Sequence, residues 1–115
     1  MKVIIAGSRS ASYYHTYQAI ISCPFLAKID VVISGHARGA DRYGEIFARE
    51  MNVPVILFPA DWGKYGKCAG FIRNKEMAKQ ADALIAVWDG KSKGTKHMIE
   101  QARYQKLAVF IYTFK

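Results

Sequence analysis

The chain has 115 residues and carries 17 Lys and Arg against 9 Asp and Glu, a formal charge of +8, with 51% hydrophobic and 23% charged residues. That balance excludes a disordered chain, and the length predicts a single domain over residues 1–115 that buries roughly 65% of its unfolded surface without metal or disulfide support. No apolar run approaches membrane-spanning length, the start Met1–Ala6 reaches Gly7 without a signal-peptide pattern, and Cys23 and Cys68 lie too far apart in sequence for a CxxC pair. A cytoplasmic protein with reduced thiols, no membrane contact, no metal and no cofactor is therefore expected.

Short runs rich in β-branched residues alternate with helical spacing along the chain. Lys2–Ala6, Asp30–Ser34, Pro54–Phe58, Ala83–Trp88 and Leu107–Tyr112 read as strands buried on both faces, as in a parallel sheet. Between the first two strands, Tyr13, Tyr17, Ile20 and Ile21 predict one apolar helical stripe, and Tyr43, Phe47, Ala48 and Met51 predict a second. In the segment of about Ala69–Ala81 the shared face comprises Phe71, Asn74, Ala78 and Ala81, and in the last helix Met98, Ile99, Ala102 and Lys106. An asparagine in an apolar stripe requires a hydrogen-bond partner, which singles out Asn74. The resulting β-α-β-α-β-α-β-α-β pattern predicts a Rossmann-like α/β three-layer sandwich with a five-stranded, mainly parallel sheet in the order 3-2-1-4-5. In that order the chain reverses direction beside strand 1, opening a crevice outside the carboxyl ends of strands 1 and 4.

Four loops would line that crevice: Gly7–Ser12, Gly35–Asp41, Pro59–Gly70 and Asp89–Thr95. All four concentrate glycine with basic or hydroxyl side chains. Glycine permits close backbone approach, and helix N-termini direct free N–H groups at an anion, so a phosphate-bearing ligand is the expected occupant. Familiar phosphate motifs are absent. Gly90-Lys91-Ser92 lacks the upstream glycine of a P-loop, because position 85 is isoleucine, and no GxGxxG occurs. His15, His36 and His97 have no metal-ligand spacing. Trp62, with Lys64 and Lys67 near it, suits stacking on a base, though packing on the sheet edge would equally explain the tryptophan.

The residues Gly7-Ser8-Arg9, Ser34–Asp41, Phe58–Trp62, Lys64–Lys67, Ala69–Met77 and Gly94-Thr95 together resemble the SLOG superfamily of Rossmann-like proteins, related to LOG and DprA/Smf proteins. The likeness is specifically to the short YspA/YpsA-like branch of bacteria and phages. The resemblance implies a pocket for a nucleotide-related ligand at the strand ends, and a homodimer paired through helices flanking it. Some relatives cleave the N-glycosidic bond of nucleoside monophosphates, others sense nucleotides or bind DNA. The hydrolases keep a glutamate three residues past the threonine of their Pro-Gly-Gly-x-Gly-Thr motif, and here that position is Met98. The leading expectation is thus nucleotide binding, as a sensor or sequestering module. Gly94 and Thr95 would receive the phosphate, Arg9 and Arg73 would bond it, and Gly7, Ser8, Gly35 and Gly39 would admit it closely. Asp41 would take a ribose hydroxyl, Trp62 would stack on the base, and Asn74 completes the set. An N-glycosidase using Glu76 or Asp41 is the alternative, and nucleic-acid binding by the basic surface a second one.

Overall fold

The computed structural model describes residues 1–115. Its strands are β1 (Lys2–Gly7), β2 (Val31–Ser34), β3 (Val55–Leu57), β4 (Ala83–Trp88) and β5 (Ala108–Thr113), all parallel in the order β3-β2-β1-β4-β5. The helices are α1 (Tyr13–Ser22), α2 (Ala40–Glu50), α3 (Trp62–Tyr65), α4 (Ala69–Gln80) and α5 (Lys93–Tyr104). The expected sheet order and the expected reversal beside β1 are both present. No helix is long and apolar enough to cross a membrane.

Strand periodicity divides the interior into two cores. On β1, Val3 and Ile5 point to one face and Ile4 and Ala6 to the other, the first three of these fully buried. The first face joins Val32, Ile85 and Val87 to Ala19 and Ile20 of α1 and to Phe47 and Ala48 of α2. The second joins Ile33, Leu84 and Ala86 to Met77 and Ala78 of α4 and to Met98, Ile99 and Ala102 of α5. Each fully buried Ile or Leu contributes about 1.5–3 kcal/mol relative to an exposed one, so the central pair β1–β4 anchors the layers.

Three expectations about packing need correction. β3 is a short edge strand whose Ile56 and Leu57 are exposed, so its apolar run does not mark burial on both faces. On α1 the buried residues are Thr16, Ala19 and Ile20, whereas Tyr13, Tyr17 and Ile21 are exposed. The tyrosines instead pack laterally, with the Tyr13 ring 6.1 Å from Tyr17 and 5.8 Å from Tyr43 of α2. On α2 Phe47 and Ala48 are buried as expected, but Met51 is exposed.

Helix starts follow local polar chemistry. Ser12 and His15 form a reciprocal capping box on α1, Asp61 caps α3 and Ser92 caps α5. At Gly7, where β1 ends, a side chain would collide with the Val87 carbonyl of β4 and with Ala40 of α2. Only glycine lets β1, β4 and the start of α2 converge, and the residues that follow are thereby drawn to the sheet's carboxyl edge.

Candidate functional site

A cavity of about 520 Å³ opens at that edge, within the roughly 300–1,000 Å³ range of small-molecule sites. All four glycine-rich loops contribute to its lining: Gly7, Ser8, Arg9 and Ser10 after β1, Ala37 and Asp41 after β2, Trp62, Lys67 and Gly70 after β3, and Asp89, Ser92, Gly94 and Thr95 after β4. α4 and α5 add Phe71, Arg73, Asn74, Met77 and Met98. Arg9, Asp41, Arg73 and Thr95, remote in sequence, therefore meet around one hollow.

The β4–α5 side is a polar cradle. Asp89 folds its loop back by accepting the amides of Lys91 and Ser92, both at 2.8 Å, and these bonds hold its carboxyl below the usual carboxylate range. Ser92 caps α5 through the Thr95 amide and also accepts the Thr95 hydroxyl at 3.1 Å. Ser8 accepts the Asp89 amide at 3.1 Å, and its hydroxyl lies 3.5 Å from that of Thr95. The Lys93 and Gly94 amides in the first turn of α5 have no protein acceptor. Helix N-terminal N–H groups of this kind attract anions.

The opposite side is built on Asp41, Gly35 and Arg73. Asp41 is buried in the first turn of α2 and accepts the amides of Gly7 at 3.3 Å and Ala37 at 3.2 Å. Burial pushes its carboxyl up to about 6, a rise opposed by the Arg73 charge and by the two amides and reinforced by Glu45. Arg73 Nη1 donates to the Gly35 carbonyl at 2.6 Å and Nε to Asn74 Oδ1 at 3.0 Å, leaving Nη2 with no protein acceptor. Burial lowers the Arg73 pKa, the Asp41 charge raises it, and the neighbouring Arg9 lowers it further. Two guanidinium groups close enough to destabilise one another are an arrangement that a bound anion relieves.

Asn74 has the partners its position demands. Its amide donates to the Gly94 carbonyl at 3.3 Å and to His97 Nδ1 at 3.2 Å, tying α4 to the first turn of α5. Asn74→Ala is expected to destabilise the chain by about 1–2 kcal/mol in urea unfolding, because the Arg73 Nε loses its acceptor and the bonds tying α4 to α5 are cut. Trp62 is 54% exposed at the cavity mouth rather than packed on the sheet edge, with its ring beside Gly70. Phe71 lies at the same mouth and stacks on His97 with ring centroids 4.2 Å apart.

Not every expected residue faces the cavity. Glu76 is exposed on α4 and borders a separate small hollow with Phe58 and Asp61. Gly35 is wedged between Arg73 and Asp41, whose Oδ2 would lie 2.8 Å from any Cβ there, and Gly39 packs on the Ser8 carbonyl and the Arg9 backbone at φ +82°. These two glycines admit neighbouring parts of the protein, a consequence of long-range packing that loop composition does not reveal. Ser10, Phe71, Asp89, Ser92 and Met98 line the cavity without having been expected to bind there, and Lys67 lines it beside Trp62. Ser92 and Asp89 had a signal, since a serine three residues before Thr95 is an N-cap pattern.

The comparisons with known proteins agree with this architecture. The profile of the YAcAr family, described as the YspA, cpYpsA-related SLOG family, matches residues 1–65. The chain belongs to that SLOG family. The Gene 61 protein of Mycobacterium phage D29 is 40% identical over 90 residues, 73% of this chain and 70% of that protein. Among solved structures, DNA processing protein A (DprA) from Streptococcus pneumoniae superposes with a TM-score of 0.77 over 96% of this SLOG chain at 19% identity, a likeness of fold. The chain spans about half of that protein, 49% of its length. The profile match takes in Gly7, Arg9, Gly35, Asp41 and Trp62, whereas Arg73, Asn74 and the α5 cradle of this SLOG chain lie beyond it.

Proposed function

We propose that this SLOG protein binds a nucleotide or nucleotide-derived small molecule at the carboxyl edge of its sheet, as a sensor or sequestering module. The observation that carries this reading is a single cavity with unpartnered α5 amides at one end, a free guanidinium edge of Arg73 beside Arg9 at the other, and aromatic rings at its mouth. The phosphate sits against Gly94, Thr95 and Ser8, Arg9 and Arg73 supply charge-assisted hydrogen bonds, and the base stacks on Trp62. Asp41, with both oxygens already accepting amides, faces the ribose from the cavity floor.

Met98 favours binding over N-glycoside cleavage. The position at which related hydrolases keep a glutamate does line the cavity, and a thioether there offers no charge to an oxocarbenium-like transition state. Asp41 and Asp89 are the carboxyls that line the cavity, and Glu76 lies outside it.

Differential scanning fluorimetry with nucleoside monophosphates tests the reading. A ligand at 100 times its Kd adds about 2.7 kcal/mol, which for a chain of this size raises Tm on the order of 10 °C. No shift with any of the common nucleotides removes the proposal. A second reading, nucleic-acid binding, is favoured by the +8 charge and by the fold shared with a DNA processing protein. It predicts affinity for random duplex or single strands that falls steeply with salt. Pairing of two copies through the helices beside the site is supported by the exposed Tyr13, Tyr14 and Tyr17 on α1, and light scattering reads it directly.

A further inference from the structure

A second hollow of about 240 Å³ adjoins the main cavity and shares Arg9, Trp62 and Arg73 with it, while adding Arg38 and Arg42. Four guanidinium groups thus border one small space, and no acidic residue lines it. None of the four makes a salt bridge, since the close contacts between basic and acidic groups in the chain are Met1–Asp30 and His36–Glu45. The carboxylates on neighbouring segments are committed elsewhere, Asp61 among them as the cap of α3 through the Lys64 amide at 3.1 Å. Asp41 accepts backbone amides behind Gly35, and Glu45 is held by the Ser34 hydroxyl at 2.7 Å and by His36 Nδ1 at 2.9 Å. An ordinary basic surface spaces or pairs its charges, whereas this one gathers arginines none of which makes a salt bridge.

The wall carrying these arginines is also fixed in place. Arg73 holds the Gly35 carbonyl, the Ser34 hydroxyl accepts the His36 amide at 3.1 Å, and Asp41 accepts that of Ala37. Arg38 follows in a loop pinned at three successive residues, and Arg42 lies in the first turn of α2. The planar guanidinium fork matches phosphoryl oxygens bidentately, and a pre-organised loop loses little entropy when it engages them.

Resting on the nucleotide reading above, we propose that this hollow is a second phosphoryl subsite, so that the ligand is a nucleotide with two separated phosphoryl groups, as in a nucleoside 3′,5′-bisphosphate or a dinucleotide. One phosphoryl group lies at the α5 cradle and the other beside Arg38 and Arg42, with Arg9, which borders both spaces, shared between them. Trp62, which borders both spaces, stacks on the base between them.

Isothermal titration of the full chain with adenosine, guanosine, cytidine and uridine 5′-monophosphates and their 3′,5′-bisphosphates tests this. For at least one base the bisphosphate is expected to bind about tenfold or more tightly than the monophosphate, the scale of one added charge-assisted contact. The Arg38→Ala/Arg42→Ala double variant, altered only at exposed side chains, is expected to lose that preference while keeping monophosphate affinity within about twofold. Equal affinity for both ligands in the unaltered protein, or a preference that survives the double substitution, overturns the second subsite and leaves the first intact. Absence of heat with every nucleotide overturns the nucleotide reading and this inference together. Binding of a single-stranded oligonucleotide that vanishes in the double variant, with no bisphosphate preference, overturns the inference in favour of nucleic acid.

Discussion

Replacing Asp41 with alanine is expected to destabilise the protein by about 3 kcal/mol, because the Gly7 and Ala37 amides lose their acceptor and Arg73 loses the charge beside it. The same carboxyl imposes a pH dependence whose sign follows from burial. Its folded-state pKa of about 6 lies above the ordinary 3.8, so the folded chain binds the proton more tightly than the unfolded one. The stability this contributes is fully present below about pH 4 and is lost as pH rises through about 6, with a total swing on the order of 2–3 kcal/mol. Asp41→Asn keeps the shape but removes the titration. Urea unfolding of both proteins between pH 3.5 and 7.5 is expected to show the wild type's advantage over the variant shrinking across that window. A gap that stays constant shows that Asp41 is not the buried, proton-binding group its surroundings describe.

The second large effect is expected at Arg73, where structure and binding share one side chain. Its Nη1 and Nε hold Gly35 and Asn74, and the remaining Nη2 serves the ligand. Arg73→Met is expected to lower nucleotide affinity by about 30–100-fold, equivalent to about 2–3 kcal/mol for a charge-assisted contact. A further stability loss of about 1–2 kcal/mol comes from the unpartnered Gly35 carbonyl. Arg73→Lys restores the charge but cannot reproduce the fork, so it is expected to recover only part of the affinity. Calorimetric titration beside urea unfolding separates the two roles, and a variant that loses stability while binding nucleotide unchanged confines Arg73 to a structural one.

The sequence makes the central strands legible because β1 and β4 are buried on both faces and carry no polar interruption. The same pattern misleads at β3, where Val55, Ile56 and Leu57 are as apolar but sit on an edge with too few neighbours to cover them. On α1 the tyrosines draw the eye, yet Thr16, Ala19 and Ile20 are the residues buried, the two small ones letting the helix approach the sheet. Asn74 announces itself, since a polar group in an apolar stripe must be satisfied. The Gly35–Arg73–Asp41 arrangement does not, because its members lie on different elements and only the crossover from β2 to α4 brings them together. His36 and Glu45 are similarly silent, since nothing in their spacing states that the His36 ring will bond the Glu45 carboxyl of α2 beside the loop that carries Arg38.

The two thiols differ in a way that experiment can exploit. Cys23 is buried in the core beneath α1, whereas Cys68 is exposed in the turn entering α4, between the cavity-lining Lys67 and Gly70. A maleimide dye on the unaltered chain therefore attaches at one place, on the lip of the cavity, within reach of quenching by Trp62. The protein thus carries its own attachment point for an optical reporter of occupancy, and libraries of unlabelled compounds can be screened against it without introducing a foreign cysteine.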